Sequence, residues 1–403
     1  MKNILLLGNG FDLNFSLPTK YVNFLNVVNY LVKNEEVEYW TVGEVFANAE
    51  LQKMDPFIGY CYTKHCEAFN HTELDEKDLE KLKEISKNNI WISYLNHELN
   101  KDTGWIDFEK EISYVLTCFK KLFDKSTVVN FNQNETDVEF IGNFFDFYFN
   151  NQSMGAYRVS DEFCIERPVG SGNRIVNRGK VVKKLYDELL SLKLALKLYL
   201  KNFIENVLQL IKENGEYNQI SLFSYMRKVI SFNYTNTYEE IYYNNEVFHI
   251  HGNLKNEIVL GVNPDESDYF ENTDTTFIRF KKYFQRTEFD TDYDYLRWIN
   301  DINKTDKKYR LFVLGHSLDV TDRDILVELF EYAEEVYIFF HDIDAKRSYI
   351  ENLILLFGKE KFDVLKKDKK LTFLLLNDDF SNLEKEIEKE SWDDIQIGWE
   401  LIK

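Results

Sequence analysis

Continuous apolar runs of strand length recur at 3–8, 229–233, 247–250, 257–262, 310–315, 335–340 and 371–376. Strands with one wet face would alternate apolar and polar residues. These do not, so they read as strands buried on both faces of a parallel sheet. Between them the period changes to 3.6: Tyr21, Phe24, Leu25, Val28, Leu31 and Val32 share one face of a helix that begins near Pro18. Further helices are predicted over 322–335 and 345–357. Strands alternating with helices are the sequence form of a doubly wound α/β domain.

The interval 35–225 has a different character. Helical periodicity runs through 75–88 and 107–125, and at greatest length through 180–214. There Val182, Leu185, Leu189, Leu192, Leu196, Tyr199, Phe203, Val207 and Leu210 form a stripe that stops before Gly215. The predicted organisation is a Rossmann-like nucleotide-binding core of residues 1–34 and 226–403, interrupted by a mainly helical insertion over 35–225. Residues 150–180 break the helical pattern with Gly155, Gly170, Gly172 and Gly179 beside Arg158, Arg167, Arg174 and Arg178. They read as a flexible loop, a lid over an anionic ligand being the alternative.

Composition narrows the class. With 33 Phe and 25 Tyr the chain is built for thick packing, and only 4 Pro leave room for long helices. A net charge of −20 argues against nucleic acid as the main partner, because phosphate backbones need a positive field. No segment approaches the roughly 18 uninterrupted apolar residues of a membrane span, and the N-terminus reads as a strand rather than a cleavable signal. A soluble, cytoplasmic protein without a membrane partner is expected. The four cysteines form no disulfide framework. Cys61, His65, Cys66 and His71 cluster in sequence, but their spacing fits no zinc pattern, and no metal is expected.

The candidate chemistry lies where strands end. The run Ile4-Leu5-Leu6-Leu7 stops in Gly8-Asn9-Gly10-Phe11-Asp12, a strand delivered into a Gly-x-Gly turn with a helix next, as in phosphate cradles of α/β sheets. Leu13 stands where a full fingerprint has its third glycine. Phe232-Asn233-Tyr234-Thr235, His249-Ile250-His251-Gly252 and Gly315-His316-Ser317-Leu318-Asp319 each follow another predicted strand. Parallel strands gather their C-terminal ends on one edge, so these segments are expected to line one crevice. His249 and His251 alternate on a strand and face opposite sides, which makes His249 a core histidine and His251 the one in the crevice. His316 is evenly balanced between supporting the site and facing solvent. Asp107 reads as a helix N-cap, Glu109 as a charge in the first turn and Trp105 as packing.

Taken in order, Gly8-Asn9-Gly10-Phe11-Asp12, Leu17-Pro18-Thr19, Trp105-x-Asp107-Phe108-Glu109, Phe232-Asn233-Tyr234-Thr235, His249-Ile250-His251-Gly252 and Gly315-His316-Ser317 resemble the bacteriophage abortive infection AbiH family. More distantly, the same landmarks are similar to the sirtuin-type NAD-binding fold. The resemblance implies a Rossmann-like, sirtuin-like parallel sheet with a large helical insertion, and NAD or a related nucleotide as ligand. Two departures count against deacylation: no cysteine follows residue 164, so the sirtuin zinc module is missing, and Thr19-Lys20-Tyr21 replaces the Asp-Phe-Arg-like run.

The implied function is a phage-defence effector that hydrolyses NAD, or a related nucleotide, at the N-glycosidic bond. In that scheme Asn233 holds water or ribose hydroxyls, His251 is the general base, and Asp12 faces the ribose or the developing cation. The backbone of Gly8, Asn9, Gly10 and Phe11 holds pyrophosphate, while Gly315, Ser317 and Leu318 meet the adenosine half. Gly10→Val is then expected to abolish nucleotide binding and spare the fold. Because constitutive hydrolysis would poison the host, a silent resting state is expected, through a lid or a homo-oligomer, with a phage trigger that the sequence does not reveal. The alternatives are a non-catalytic nucleotide-sensing module that switches a partner, and a nuclease or RNA-directed toxin.

Overall fold

The computed structural model describes residues 2–101, 106–123, 128–129, 141–142, 144–145, 148–151, 156–165, 175–215, 219–226, 228–242, 246–263, 275–291, 297 and 308–388. Six strands pair in one all-parallel sheet: β1 (Lys2–Leu7), β2 (Lys228–Ser231), β3 (Glu246–His249), β4 (Tyr309–Leu314), β5 (Ala333–Phe340) and β6 (Leu371–Leu375). Their spatial order is β3-β2-β1-β4-β5-β6. The chain thus leaves β1 toward one edge, then returns to the other side of β1 as β4. The framing helices include α1 (Gly10–Asn14), α2 (Tyr21–Lys33), α3 (Phe108–Phe123), α4 (Arg178–Leu200), α5 (Lys282–Glu288), α6 (Arg323–Tyr332) and α7 (Ile343–Lys367).

The apolar runs fail to alternate because the sheet is covered on both faces. Ile4 and Leu6 join one core with Ile230, Leu311, Val313 and Ile338, closed by Leu326 and Leu329 of α6 and Leu353 of α7. Leu5 and Leu7 face the other way, into a core with Phe312, Phe24 of α2, Phe108 and Ile112 of α3, and Leu192 and Tyr199 of α4. Ile4 through Leu7 are fully buried, each contributing about 1.5–3 kcal/mol by that burial. The helices between β1 and β2 therefore form the second covering layer of the sheet, sharing its core.

Several expectations need adjustment. The run 257–262 is not a sheet strand. Gln285, fully buried, takes its place as a partner: its side chain accepts from the Leu260 N–H at 3.1 Å and donates to the Leu260 carbonyl at 2.9 Å. The long helix predicted over 180–214 is interrupted by a π-helical turn at Lys201–Glu205 before it resumes at Asn206–Asn214 and ends on Gly215 at φ 67°. The helix predicted to end at 357 does break there, at Gly358 with φ 77°, but helical turns resume to Lys367. Within 150–180, the described residues form two antiparallel ribbons, Tyr148–Asn151 with Ala156–Val159 and Cys164–Ile165 with Ile175–Val176, joined by a 3-10 turn at Asp161–Phe163 and followed by the start of α4 at Arg178. Arg167, Arg174, Gly155, Gly170, Gly172 and Trp105 lie outside the described residues. Arg178 is spent structurally, donating to the Phe123 carbonyl at 2.7 Å at the end of α3. No helix among the described residues is long and apolar enough to cross a membrane.

Candidate active site

The loops after β1, β2, β3 and β4 meet at one edge of the sheet around a cleft of about 370 Å3. Gly8, Asn9, Asp12, Asn233, Thr235, His251, Gly315, His316 and Ser317 line it from the sheet. The helical layer adds Lys20 and Tyr21 at the start of α2, Asp107 and Glu109 at the start of α3, and Leu196 and Leu200 of α4.

The glycines let two loops pack closely. A Cβ on Gly8 would sit 2.5 Å from the His316 Cα, and one on Gly10 would sit 2.7 Å from the Gly315 Cα. Gly315 itself has φ 70° and would drive a Cβ to 2.2 Å from the Phe11 N. The β1 and β4 loops thus pack backbone on backbone, which only glycine allows. Their N–H groups are consumed in the process: Gly8 donates to Leu314, Gly10 to Gly315 at 2.8 Å and Phe11 to Gly8. Of the four N–H groups expected to hold pyrophosphate, only that of Asn9 has no partner among the described residues. Gly10, Phe11 and Leu318 do not line the cleft at all. The Phe11 ring is buried against Phe15, and Leu318 is buried in the core beneath α6.

Asp12, Asn233 and Thr235 form one cluster. The Thr235 hydroxyl donates to Asp12 Oδ2 at 2.7 Å, and Asn233 Nδ2 donates to the Gly8 carbonyl at 3.1 Å. The other Asp12 oxygen is buried with no hydrogen-bond partner. Burial, opposed by the Thr235 hydrogen bond, pushes the Asp12 carboxyl up to about 6. His249 lies outside the cleft with both ring nitrogens occupied, Nδ1 donating to the Asn233 carbonyl at 2.9 Å and Nε2 to Glu239 Oε1 at 2.7 Å. Two acceptors favour the imidazolium; although burial opposes it, the hydrogen bond to Glu239 raises its pKa. It is the satisfied core histidine that the strand alternation implies.

A buried ionic network that the sequence did not reveal closes the cleft. Lys282 of α5 is almost fully buried and holds Glu109 Oε2 at 2.7 Å and Asp322 Oδ1 at 2.8 Å. Asp322 also lies 3.4 Å from His251 Nε2 and 3.5 Å from His316 Nε2. The Leu318 N–H donates to His316 Nδ1, so the His316 proton sits on Nε2, toward Asp322. His316 therefore supports the site. His251 Nε2 is buried and faces the Asp322 carboxylate. Burial, with the Lys282 ammonium beside it, lowers the His251 imidazole to about 4, so it is neutral at physiological pH. Burial favours neutral Asp322, but Lys282 and the two histidines hold it well below its ordinary range. Burial raises Glu109 to about 7 despite Lys282. Asp107 N-caps α3 as expected, accepting from the Glu109 N–H at 3.0 Å. The reading of Glu109 as a plain first-turn charge missed its partner, because Lys282 lies far along the chain and no local pattern joins them.

The early Cys/His cluster does not converge: His65 Nε2 bonds the Phe15 carbonyl, while His71 Nδ1 bonds the Glu67 carbonyl. Among the described residues no group of three His, Cys, Asp or Glu side chains is placed to hold a metal.

The family model described as bacteriophage abortive infection AbiH matches residues 4–342, which include every lining residue of the cleft. The chain belongs to the AbiH family. Membership connects the protein to abortive-infection defence against phage. No curated protein and no solved structure matches the chain.

Proposed function

We propose that the cleft binds a nucleotide and hydrolyses its N-glycosidic bond, with NAD as the first candidate, and that this depletion is how the protein acts in phage defence. One observation carries the reading: a buried carboxylate oxygen without a partner, Asp12 Oδ1, belongs to a residue lining the same cleft as Asn233 and His251. Such an orphan is uncommon in folded proteins and points to a ligand that completes it. The strand order supports a Rossmann-like assignment, since these sheets bind ligands outside the strand ends where the order reverses, here between β1 and β4.

The acidic lining suits a substrate whose reacting half is cationic, and a cleft of about 370 Å3 suits a nucleoside portion more than a whole dinucleotide. Asp12 then faces the ribose and the positive charge that develops as the bond breaks. Asn233, one end of its amide fixed on Gly8, orients a hydroxyl or water with the other. Asn9 N–H, Lys20 and Ser317 supply donors for the phosphates outside. Neutral His251 serves as a hydrogen-bonding group toward the ligand. The nucleotide-sensing alternative draws on the weak basicity of His251, and it requires binding without turnover.

The deciding experiment incubates purified protein with NAD, alone and with extract from phage-infected cells, and follows free nicotinamide. Release in either arm is expected. Ligand-induced stabilisation without release favours the sensor. Unchanged NAD in infected cells that the protein protects overturns the hydrolase.

A further inference from the structure

We propose that Glu109, contributed by the helical layer, is the general base that takes the proton from the attacking water, with Lys282 as its positioning residue. This rests on the hydrolase reading.

Five carboxylates line the cleft: Asp12, Asp107, Glu109, Asp319 and Asp322. Asp107 and Asp319 are engaged in capping, accepting from the N–H groups of Glu109 and Thr321, and both are bridged by Lys110. Asp322 has Lys282 and His251 on one oxygen and His316 on the other, which leaves it no room to accept a proton. His251 directs Nε2 toward that same carboxylate. Asp12 and Glu109 remain, one on the sheet edge and one on the helical layer.

Asp12 is 1% exposed and tied to Thr235 beside the sheet loops. The Glu109 side chain keeps 13% exposure in the cleft, with one oxygen anchored on Lys282. Its backbone is equally fixed. Asp107 caps its N–H, and the neighbouring Phe108 ring stacks on Tyr21 at 4.1 Å and 5°. A carboxylate placed this rigidly meets the positional demand on a general base. The groups facing it are Lys282, Asp322, Asp107, Tyr21 and Tyr234. Burial outweighs Lys282 and leaves it near 7, a pKa suited to proton transfer at neutral pH.

In the step itself, the ribose C1′–N bond breaks and its electron pair leaves with nicotinamide, which becomes neutral. Water forms the C1′–O bond, and its proton passes to the Glu109 carboxylate and then to solvent. No oxidant or reductant is needed.

The test compares wild type with Glu109→Gln and Glu109→Asp, purified and supplied with infected-cell extract as above. Melting curves report folding and NAD titration reports binding. Glu109→Gln should lose about 100-fold or more in kcat, with NAD affinity within about threefold, and should lose the limb along which wild-type kcat rises through about pH 7. Glu109→Asp keeps a shortened carboxylate and should retain that limb at reduced rate. A folded Glu109→Gln protein with near wild-type kcat and an unchanged pH limb overturns the assignment and leaves the hydrolase standing. If Glu109→Gln does not fold, a Glu109→Asp protein without the limb overturns it equally. If wild type releases no nicotinamide in any arm, the hydrolase reading falls and this one with it.

Discussion

Asp12→Asn should stabilise the protein at neutral pH while removing its activity. The Asp12 carboxyl is moved by burial from 3.8 to about 6. At about 1.4 kcal/mol for each pKa unit, keeping it ionised in the fold costs about 3 kcal/mol. The sign follows from which state ionises first. Below 3.8 the carboxyl is protonated folded and unfolded, and costs nothing. Between 3.8 and 6 the unfolded chain ionises while the fold resists, so stability falls; above 6 the whole cost is present. Asparagine has the same shape and no charge. Its amide nitrogen brings a pH-independent penalty of about 1–3 kcal/mol if it takes the unpartnered position. The diagnostic is therefore the pH dependence of the difference. Urea unfolding of both proteins from about pH 4 to about pH 7 should show the gap move by about 2 kcal/mol in favour of the variant. A gap that stays constant with pH, or moves against the variant, refutes the account of Asp12 as a carboxylate held at a cost for function.

Other outcomes follow from the same packing. Gly10→Val should cost about 3 kcal/mol or more, because its Cβ would meet the Gly315 backbone; a soluble variant with wild-type melting that fails only in NAD binding would restore the phosphate-cradle reading. Lys282→Met leaves two carboxylates buried without a counter-ion and should cost about 3–5 kcal/mol, more at pH 8 than at about pH 5, where those acids begin to protonate, as urea melts at the two pH values would show. Asn233→Ala and His251→Ala should each remove most nicotinamide release with the double variant little worse, and multiplicative losses in kcat would mean that they act separately. His249→Ala should lower the melting temperature, since it strips partners from Glu239 and the Asn233 carbonyl.

What the sequence made legible divides along physical lines. The six strands announce themselves because burial on both faces demands unbroken apolar residues, as Ile4 to Leu7 display. The meeting of Asn233, His251 and Gly315 at one edge follows from parallel pairing alone, and so does the split between His249 and His251. The run 257–262 misleads because apolar content marks burial but not the partner; a glutamine side chain substitutes for a neighbouring strand. The glycines have a packing reason that the sequence does not show. Gly8 and Gly10 are small because Gly315 and His316 press on them, and an approach between loops more than 300 positions apart leaves no local trace. Lys282 escaped notice for a related reason. A lysine beside Lys281 reads as surface charge until tertiary structure surrounds it with Glu109 and Asp322.

The close contact between the β1 and β4 loops explains why the helical layer belongs to the site. In a sheet whose strand order reverses, the gap between the two central loops is the natural place for a ligand. Here that gap is filled by glycine backbone, with Gly10 donating to Gly315 at 2.8 Å. The cleft must therefore be walled from outside the sheet. Tyr21, Glu109, Leu196 and Leu200 provide that wall, all from helices that follow β1 and precede β2. A wall made of separate helices needs a fixed distance to the floor. Lys282 supplies it, joining the first turn of α3 to the segment that follows β4 through two carboxylates on one buried ammonium. A hydrophobic contact of the same area would hold the layers together without fixing where Glu109 points, because apolar packing is non-directional. The desolvation of three charges, which a buried methionine would avoid, is thus understandable as the cost of orientation. It follows that the ion pair should matter more to activity than to folding. In Lys282→Met rescued for stability by a second-site stabilising substitution, nicotinamide release at unchanged pH should remain depressed even where the melting temperature has returned to the wild-type value.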